Sequence, residues 1–146
     1  EIILYLSGNP SPELNDLLLQ QSSSKRIQFL GRIKEEKLPE IYQGATALLL
    51  PSLYEGFGLP IIEAMASRTA VLTSDITAMP ETAGDAALLV NPTSISAIRR
   101  GIEVLASNST LRKELISKGT LRAQHFTWDK VREKIYNTIT GVLNTL

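Results

Sequence analysis

Two carboxylates bracket a short glycine-containing segment in the middle of the chain. Glu55 stands directly before Gly56, Gly58 follows two residues later, and Glu63 lies beyond it. Carboxylate oxygens accept hydrogen bonds from sugar hydroxyls. Glycine lets a backbone turn sharply and approach a ligand closely. We therefore interpret this segment as a candidate site for a ligand rich in hydroxyl groups.

The segment joins a predicted strand to a predicted helix. The apolar run Ala47–Leu50 is typical of a buried parallel strand. Pro60 suits the first position of the following helix, predicted over 60–67, and this places Glu63 in the first turn. A helix N-terminus has free N–H groups and about half a positive charge, which favours an anion such as phosphate. The pattern therefore indicates a nucleotide-sugar site, and a structural turn whose Glu63 stabilises the helix dipole stays open as the alternative.

The composition limits the class of protein. The chain has 146 residues, of which 43% are hydrophobic, enough for one domain with a substantial core. It has 15 basic and 15 acidic residues, so a nucleic-acid partner is not favoured. The sequence contains no cysteine and one histidine, which excludes disulfides, thiolate metal sites and histidine clusters. Because it shows neither a long apolar run nor a signal peptide, we expect a cytoplasmic location.

Predicted strands alternate with predicted helices along the whole chain. Strands are predicted at 2–6, 26–30, 46–50, 70–73 and 86–90. Helices are predicted at 12–20, 34–42, 60–67, 79–83, 94–106, 110–124 and 128–143. This alternation predicts an open parallel α/β sheet of the Rossmann type with helices on both faces, and ligands bind such sheets at the carboxyl ends of the strands.

Several segments resemble those of retaining GT-B glycosyltransferases. The stretch from Glu55 to Ala66 resembles their signature of two glutamates separated by seven residues. Further similar segments lie at 27–45, 80–90 and 126–128. The closest group is glycosyl transferases group 1, which includes bacterial mannosyl-, glucosyl- and sucrose-type transferases. The resemblance covers most of the chain.

The resemblance implies roles for individual residues. Glu55 is implied as the catalytic residue beside the donor sugar, and Glu63 as the acceptor for the ribose hydroxyls. The backbone N–H groups of Phe57, Gly58 and Leu59 are implied to contact the sugar and the diphosphate. The remaining residues expected at the donor site are Gly56 in the same loop, and Arg32 and Ile33 beside the nucleobase.

The resemblance also implies that residues 1–146 are the nucleotide-sugar-binding domain of a larger enzyme. The chain begins at what resembles the second strand of that domain, so the first strand, with its Gly-Arg turn and a later Lys, is expected elsewhere. We expect another strand, supplied by a longer protein or another chain, beside Ile2–Leu6. The N-terminal acceptor domain is likewise expected outside this sequence, and the isolated fragment is expected to be inactive.

The implied activity is transfer of a sugar from a UDP- or GDP-linked donor to an acceptor, with retention of anomeric configuration. No Asp-x-Asp dyad is present, so neither a metal nor another cofactor is implied. Any membrane association is expected to come from the absent half. Two alternatives stay open: a non-catalytic nucleotide- or sugar-binding regulatory module, and a purely structural α/β interaction domain.

Three residues near the last helix are expected to be structural. His125 precedes that helix, and the functional histidine of the family belongs to the absent half. Trp128 is expected to pack the helix onto the domain, and Thr127 is expected to cap it.

Overall fold

The computed structural model describes residues 2–19 and 26–143. The chain divides into two compact units, residues 1–38 and residues 39–146. Each unit contains parallel strands connected by helices. The predicted α/β class with parallel strands is therefore confirmed.

The first unit is built on two parallel strands joined by a helix. Strand β1 (Leu4–Ser7) pairs with β2 (Ile27–Gly31), and Leu4 lies opposite Ile27. Helix α1 (Pro12–Leu19) lies between them in sequence. Its predicted cap is confirmed, because Ser11 Oγ accepts a hydrogen bond from the Leu14 N–H at 3.2 Å. The predicted end of α1 at Gln20 lies outside the described residues.

The second unit holds a three-stranded parallel sheet, in the order β3–β4–β5. Its strands are β3 (Ala47–Leu50), β4 (Ala70–Ser74) and β5 (Leu88–Val90). Its helices are α2 (Leu38–Gly44, entered from the first unit), α3 (Leu59–Ala66), α4 (Met79–Ala83), α5 (Ile95–Ser107), α6 (Ser109–Ala123) and α7 (Trp128–Leu143). A 3₁₀ turn over Glu35–Lys37 replaces the first part of the helix predicted at 34–42.

Helices cover both faces of this sheet, as predicted. Successive residues of a strand point to opposite faces, so Val71 and Leu72 of β4 enter two different apolar clusters. Val71 packs with residues of α3 and α4, whereas Leu72 packs with Leu105 of α5. Helix α6 contributes Leu115 to the second cluster and Ala123 to the first. Helix α6 therefore contributes to both apolar clusters of the sheet.

Helix α6 crosses α3 closely at a glycine. A Cβ atom added to Gly119 would lie 2.9 Å from Met65 Cγ, a distance that real Cβ atoms do not show. Met65 is buried in the cluster beneath α3. The absence of a side chain at Gly119 is thus what lets the two helices pack at this distance.

Side-chain caps set the beginnings of α5 and α6. Ser94 Oγ accepts from the Ala97 N–H at 3.2 Å as the N-cap, so α5 begins one residue after its predicted start at Ser94. Asn108 Oδ1 accepts from the Leu111 N–H at 2.9 Å. The prediction that α6 begins at Thr110 is therefore wrong by one residue, because the Asn108 cap lets Ser109 enter the helix.

The last helix, α7, carries no buried residue along its described length. The predicted cap at Thr127 is present, since its Oγ1 accepts from the Lys130 N–H at 3.4 Å. The expectation that Trp128 packs the helix onto the domain is wrong, because this side chain is 85% exposed. In the described part of the chain, none of the helices combines the length and apolar character required to span a bilayer.

Candidate functional site

The loop between β3 and α3 turns at Gly58. Its φ of +85° lies in the left-handed region, which side chains disfavour, and a Cβ here would lie 2.9 Å from Ile61 Cδ1. Glycine is thus required at this position by backbone conformation and by space. Gly56 differs, because its φ is not positive and a Cβ there would meet no atom within 4 Å. The sequence predicts that both glycines are needed for a sharp turn, and the structure requires glycine only at position 58.

Helix α3 starts one residue earlier than predicted. Gly58 acts as its N-cap, so Leu59 takes the first position and Pro60 the second. The Ile61 N–H donates to the Gly58 carbonyl at 2.9 Å. Consequently Glu63 does not lie in the first turn, contrary to the prediction. The alternative role of Glu63 as a dipole-stabilising residue loses support, because that effect is confined to the first turn.

Glu55 is half-buried and is held by a serine hydroxyl. Ser52 Oγ donates to Glu55 Oε1 at 3.0 Å. The Ser52 carbonyl in turn accepts from the buried Ser74 Oγ at 2.6 Å. Strand β4 therefore positions the segment that carries Glu55, and the second carboxylate oxygen is left available for a ligand hydroxyl.

Glu63 is exposed, and a tyrosine from another helix contacts it. Tyr42 OH donates to Glu63 Oε2 at 3.1 Å, and the Tyr42 carbonyl accepts from Thr69 Oγ1 at 2.7 Å. Burial, followed by the nearby charge of Glu63 and this hydrogen bond, raises the pKa of Tyr42 well above its usual range. Tyr42 therefore remains a neutral donor that orients the Glu63 carboxylate. Sequence reasoning missed this role, although the residue lies in a segment that resembles the family.

Phe57 is anchored through both its ring and its backbone. The residue is 40% exposed, and its ring meets the Phe126 ring edge-on, with centroids 5.5 Å apart. Its carbonyl accepts from Thr82 Oγ1 at 2.5 Å. Arg122 lies over the Phe126 ring at 5.0 Å and donates through Nε to the Thr82 carbonyl at 3.1 Å. The sequence predicted none of these three supporting residues.

The loop presents a row of backbone donors. Within the described residues, the N–H groups of Phe57, Gly58 and Leu59 donate to no protein acceptor. They lie at the positive end of the α3 dipole, between the two carboxylates in sequence. Adjacent N–H groups at a helix start can bind phosphate oxygens, and carboxylates on either side can accept from hydroxyl groups.

Arg32 and Ile33 belong to the first unit and follow the end of β2. Arg32 is exposed and Ile33 is half-buried. The six other predicted site residues gather in one segment and the helix after it, in the second unit. The expected contact of Arg32 and Ile33 with a nucleobase stays a prediction.

Other features of the second unit lie outside this segment. His125 is exposed and its N–H donates to the Arg122 carbonyl at 3.0 Å. An open hollow follows one side of α7, and no predicted site residue lines it. Over residues 2–19 and 26–143, the structure shows no group of three or more His, Asp and Glu side chains arranged to hold a metal ion.

Comparison with known proteins places this chain in a family. The sequence model of "Glycosyl transferases group 1" matches residues 1–122. The chain is 36% identical over 111 residues to O-antigen chain mannosyltransferase B of Escherichia coli, a match that covers 76% of this chain and 29% of that protein. The chain thus spans less than a third of the length of this relative.

Solved structures show the same fold. The sucrose-phosphate synthase of Thermosynechococcus elongatus superposes with a TM-score of 0.86 and 26% identity, over 98% of this chain and 39% of that protein. Anabaena HepE, in complex with UDP and glucose, has a TM-score of 0.85 and 19% identity, over 95% of this chain and 40% of that one. The chain therefore belongs to the glycosyl transferases group 1 family, as a C-terminal domain of the GT-B fold.

Proposed function

We propose that residues 1–146 form the nucleotide-sugar-binding half of a retaining GT-B glycosyltransferase. The donor is a UDP- or GDP-linked sugar, and the acceptor is held by a domain outside this sequence. Family membership supports the reaction class, and the relative named as a mannosyltransferase supports mannose as the transferred sugar. The fraction of the relatives that the chain spans, 29% and 39%, supports its assignment as one domain of a larger enzyme.

One observation carries this proposal: three adjacent backbone N–H groups without protein acceptors stand between two oriented carboxylates. The diphosphate binds the N–H groups of Phe57, Gly58 and Leu59 at the start of α3. The ribose hydroxyls donate to Glu63, which Tyr42 orients. Glu55 accepts from a hydroxyl of the donor sugar and thereby places the reacting carbon.

Transfer breaks the bond between the anomeric carbon and the phosphate oxygen and forms a bond to the acceptor oxygen. Negative charge grows on the departing diphosphate, where the loop N–H groups and the helix dipole stabilise it. The acceptor hydroxyl gives its proton to that phosphate. Attack on the face from which the diphosphate leaves retains the anomeric configuration. Because the sequence lacks an Asp-x-Asp dyad, we propose that transfer continues in the presence of EDTA.

The role of Glu63 can be tested by calorimetric titration of the chain with GDP, UDP and their 2′,3′-dideoxy analogues. A hydrogen bond to a carboxylate contributes about 1.5–3 kcal/mol, so Glu63→Gln should weaken nucleotide binding by roughly tenfold or more. The same change should leave the affinity for the dideoxy analogues unaltered. Glu103→Gln, on the exposed face of α5, is the matched control. Failure of the unmodified chain to bind either nucleotide contradicts the proposal.

The role of Glu55 requires the complete enzyme with its acceptor domain. Glu55→Gln should lower the transfer rate by about 10²-fold, because the donor sugar loses its positioning contact. Donor affinity should change much less, since the nucleotide contacts remain. Unchanged turnover contradicts the catalytic assignment. Nucleotide binding without transfer to any acceptor instead favours the regulatory alternative.

We also propose that another strand pairs beside β1. The residues at the start of the chain support this, because Ile2, Ile3 and Tyr5 are exposed although they are apolar. An unpaired strand edge with such residues tends to associate with another chain. A chain that stays monomeric at high concentration in sedimentation experiments would count against this strand.

A further inference from the structure

A buried threonine holds the backbone of the loop between β3 and α3 (residues 51–58, the donor loop). Thr82, in α4, is 2% exposed, and its Oγ1 donates to the Phe57 carbonyl across 25 residues of sequence. This hydrogen bond is not part of the regular backbone hydrogen bonding of a helix or a sheet. It fixes the plane of the peptide unit between Phe57 and Gly58.

That plane decides where the Gly58 N–H points. The peptide bonds of the described residues include no cis bond, and in a planar trans unit the C=O and the N–H point in opposite directions. With the Phe57 carbonyl directed at Thr82, the Gly58 N–H is directed away from α4. Gly58 is buried, and its N–H has no acceptor among the described residues. Since buried N–H groups are almost always paired, this donor calls for an acceptor from outside the described residues.

The threonine is itself held in place. Arg122 donates to the carbonyls of both Thr82 and Glu81, so the C-terminal end of α6 fixes the backbone of α4. Gly84, directly after α4, packs against the Arg122 guanidinium, since a Cβ there would lie 3.4 Å from its Nε. The donor loop is thus braced before a ligand arrives, and a braced donor needs no rearrangement when charge develops on the ligand.

We propose that Thr82 is a positioning residue that aims the Gly58 N–H at the diphosphate of the donor nucleotide. This inference rests on the proposed function, because it assumes that a diphosphate binds at the start of α3. In this proposal Thr82 contacts neither the substrate nor the two carboxylates. It acts by fixing the orientation of the peptide unit between Phe57 and Gly58.

The test compares nucleotides with nucleosides, so that the diphosphate contribution is measured alone. The affinities of the chain for GDP and guanosine, and for UDP and uridine, are measured by calorimetry. Thr82→Val should weaken diphosphate binding by about fivefold to tenfold, because the Gly58 N–H is no longer directed. Its nucleoside affinity should stay unchanged, and Thr82→Ser, which keeps the hydroxyl, should restore the diphosphate preference.

Thr73→Val is the matched control. Thr73 is also fully buried and donates to a backbone carbonyl, that of Leu50 in β3, at 3.0 Å. Its loss should lower stability to a similar degree without changing the ratio of diphosphate to nucleoside affinity. An equal loss of that ratio in both variants shows a general stability effect and overturns the inference.

A measurement on the unmodified chain keeps the inference testable if Thr82→Val does not fold. In ¹H–¹⁵N spectra the Gly58 amide signal should move on addition of GDP or UDP and remain in place with the nucleosides. If the Gly58 amide signal does not move when GDP or UDP binds, the inference is overturned. If no ligand binds, or if nucleotide and nucleoside bind equally, the diphosphate site of the proposed function fails as well.

Discussion

Each of the two site carboxylates is held by one hydroxyl group. Ser52 donates to Glu55 and Tyr42 donates to Glu63, in each case to a single carboxylate oxygen. An ionised carboxylate has about four acceptor positions, so each glutamate keeps capacity for a ligand hydroxyl. The hydroxyl partners fix rotamers that would otherwise be free, which reduces the entropy lost when a sugar binds.

Tyr42 makes stability sensitive to high pH. Its pKa is raised in the folded chain by burial and by Glu63, while in the unfolded chain it stays near 10. Folding thus favours the neutral phenol, and this stabilisation is complete below about pH 10 and is lost as the pH rises above that value. We expect the free energy of unfolding, measured by urea denaturation, to fall as the pH rises above about 10. Tyr42→Phe should reduce that fall.

Tyr54→Phe is the control for this experiment, since Tyr54 is largely exposed. It should leave the pH dependence as it is in the unmodified chain. Identical pH profiles for Tyr42→Phe and the unmodified chain would show that the phenol is not kept neutral by the fold.

At the scale of the elements, the glycines that face the core limit what the helices tolerate. Gly101 of α5 is buried against the sheet, and a Cβ there would lie 2.5 Å from Leu72 Cδ1 and 3.1 Å from Val90 Cγ1. Leu72 is fully buried, so its side chain cannot make room by moving out into solvent. Overpacking of this kind costs about 1–3 kcal/mol, more than the 0.5–1 kcal/mol that alanine gains in a helix.

We therefore expect Gly101→Ala to destabilise the chain by about 1–2 kcal/mol and to lower the melting temperature by about 3–6 °C. Gly141→Ala is the matched control, because it is also helical and a Cβ there meets no atom within 4 Å. It should leave the melting temperature unchanged or slightly raised. Equal effects of the two changes in calorimetry would refute the close packing of α5 on β4.

The order and type of the elements were predictable because local patterns determine them. Helix α4 has the predicted bounds, and β4 is one residue longer than predicted. The start of α3 was wrong because Gly58 adopts a left-handed backbone, which brings Leu59 into the helix and moves Glu63 to the second turn. A sequence pattern shows that a glycine permits this conformation, and it does not show that the chain adopts it.

At the scale of the whole molecule, the residues that support the site come from distant parts of the sequence. Tyr42 lies 21 residues from Glu63, and Thr82 lies 25 residues from Phe57. Such contacts depend on how elements pack, so composition and periodicity could not reveal them. The segment from Glu55 to Glu63 was found from the sequence alone, because its glutamates and glycines lie close together along the chain. Arg32 and Ile33, for which a nucleobase contact is predicted, lie in the other compact unit.

The exposed apolar face of α7 should govern how the isolated chain behaves in solution. Trp128, Ile135 and Ile139 are 85%, 54% and 55% exposed, and their helical spacing places Ile135 and Ile139 one turn apart. Exposed apolar side chains grouped on one helix favour self-association.

We expect sedimentation velocity to show concentration-dependent association of the chain. The double change Ile135→Glu and Ile139→Glu should weaken it without lowering the melting temperature, because neither side chain is buried. Glu substitution at Ile61, which is fully buried, should instead unfold the chain. Association of unchanged strength in the double variant, or a melting temperature that drops as it would for a core residue, would show that this face of α7 is not an associating surface.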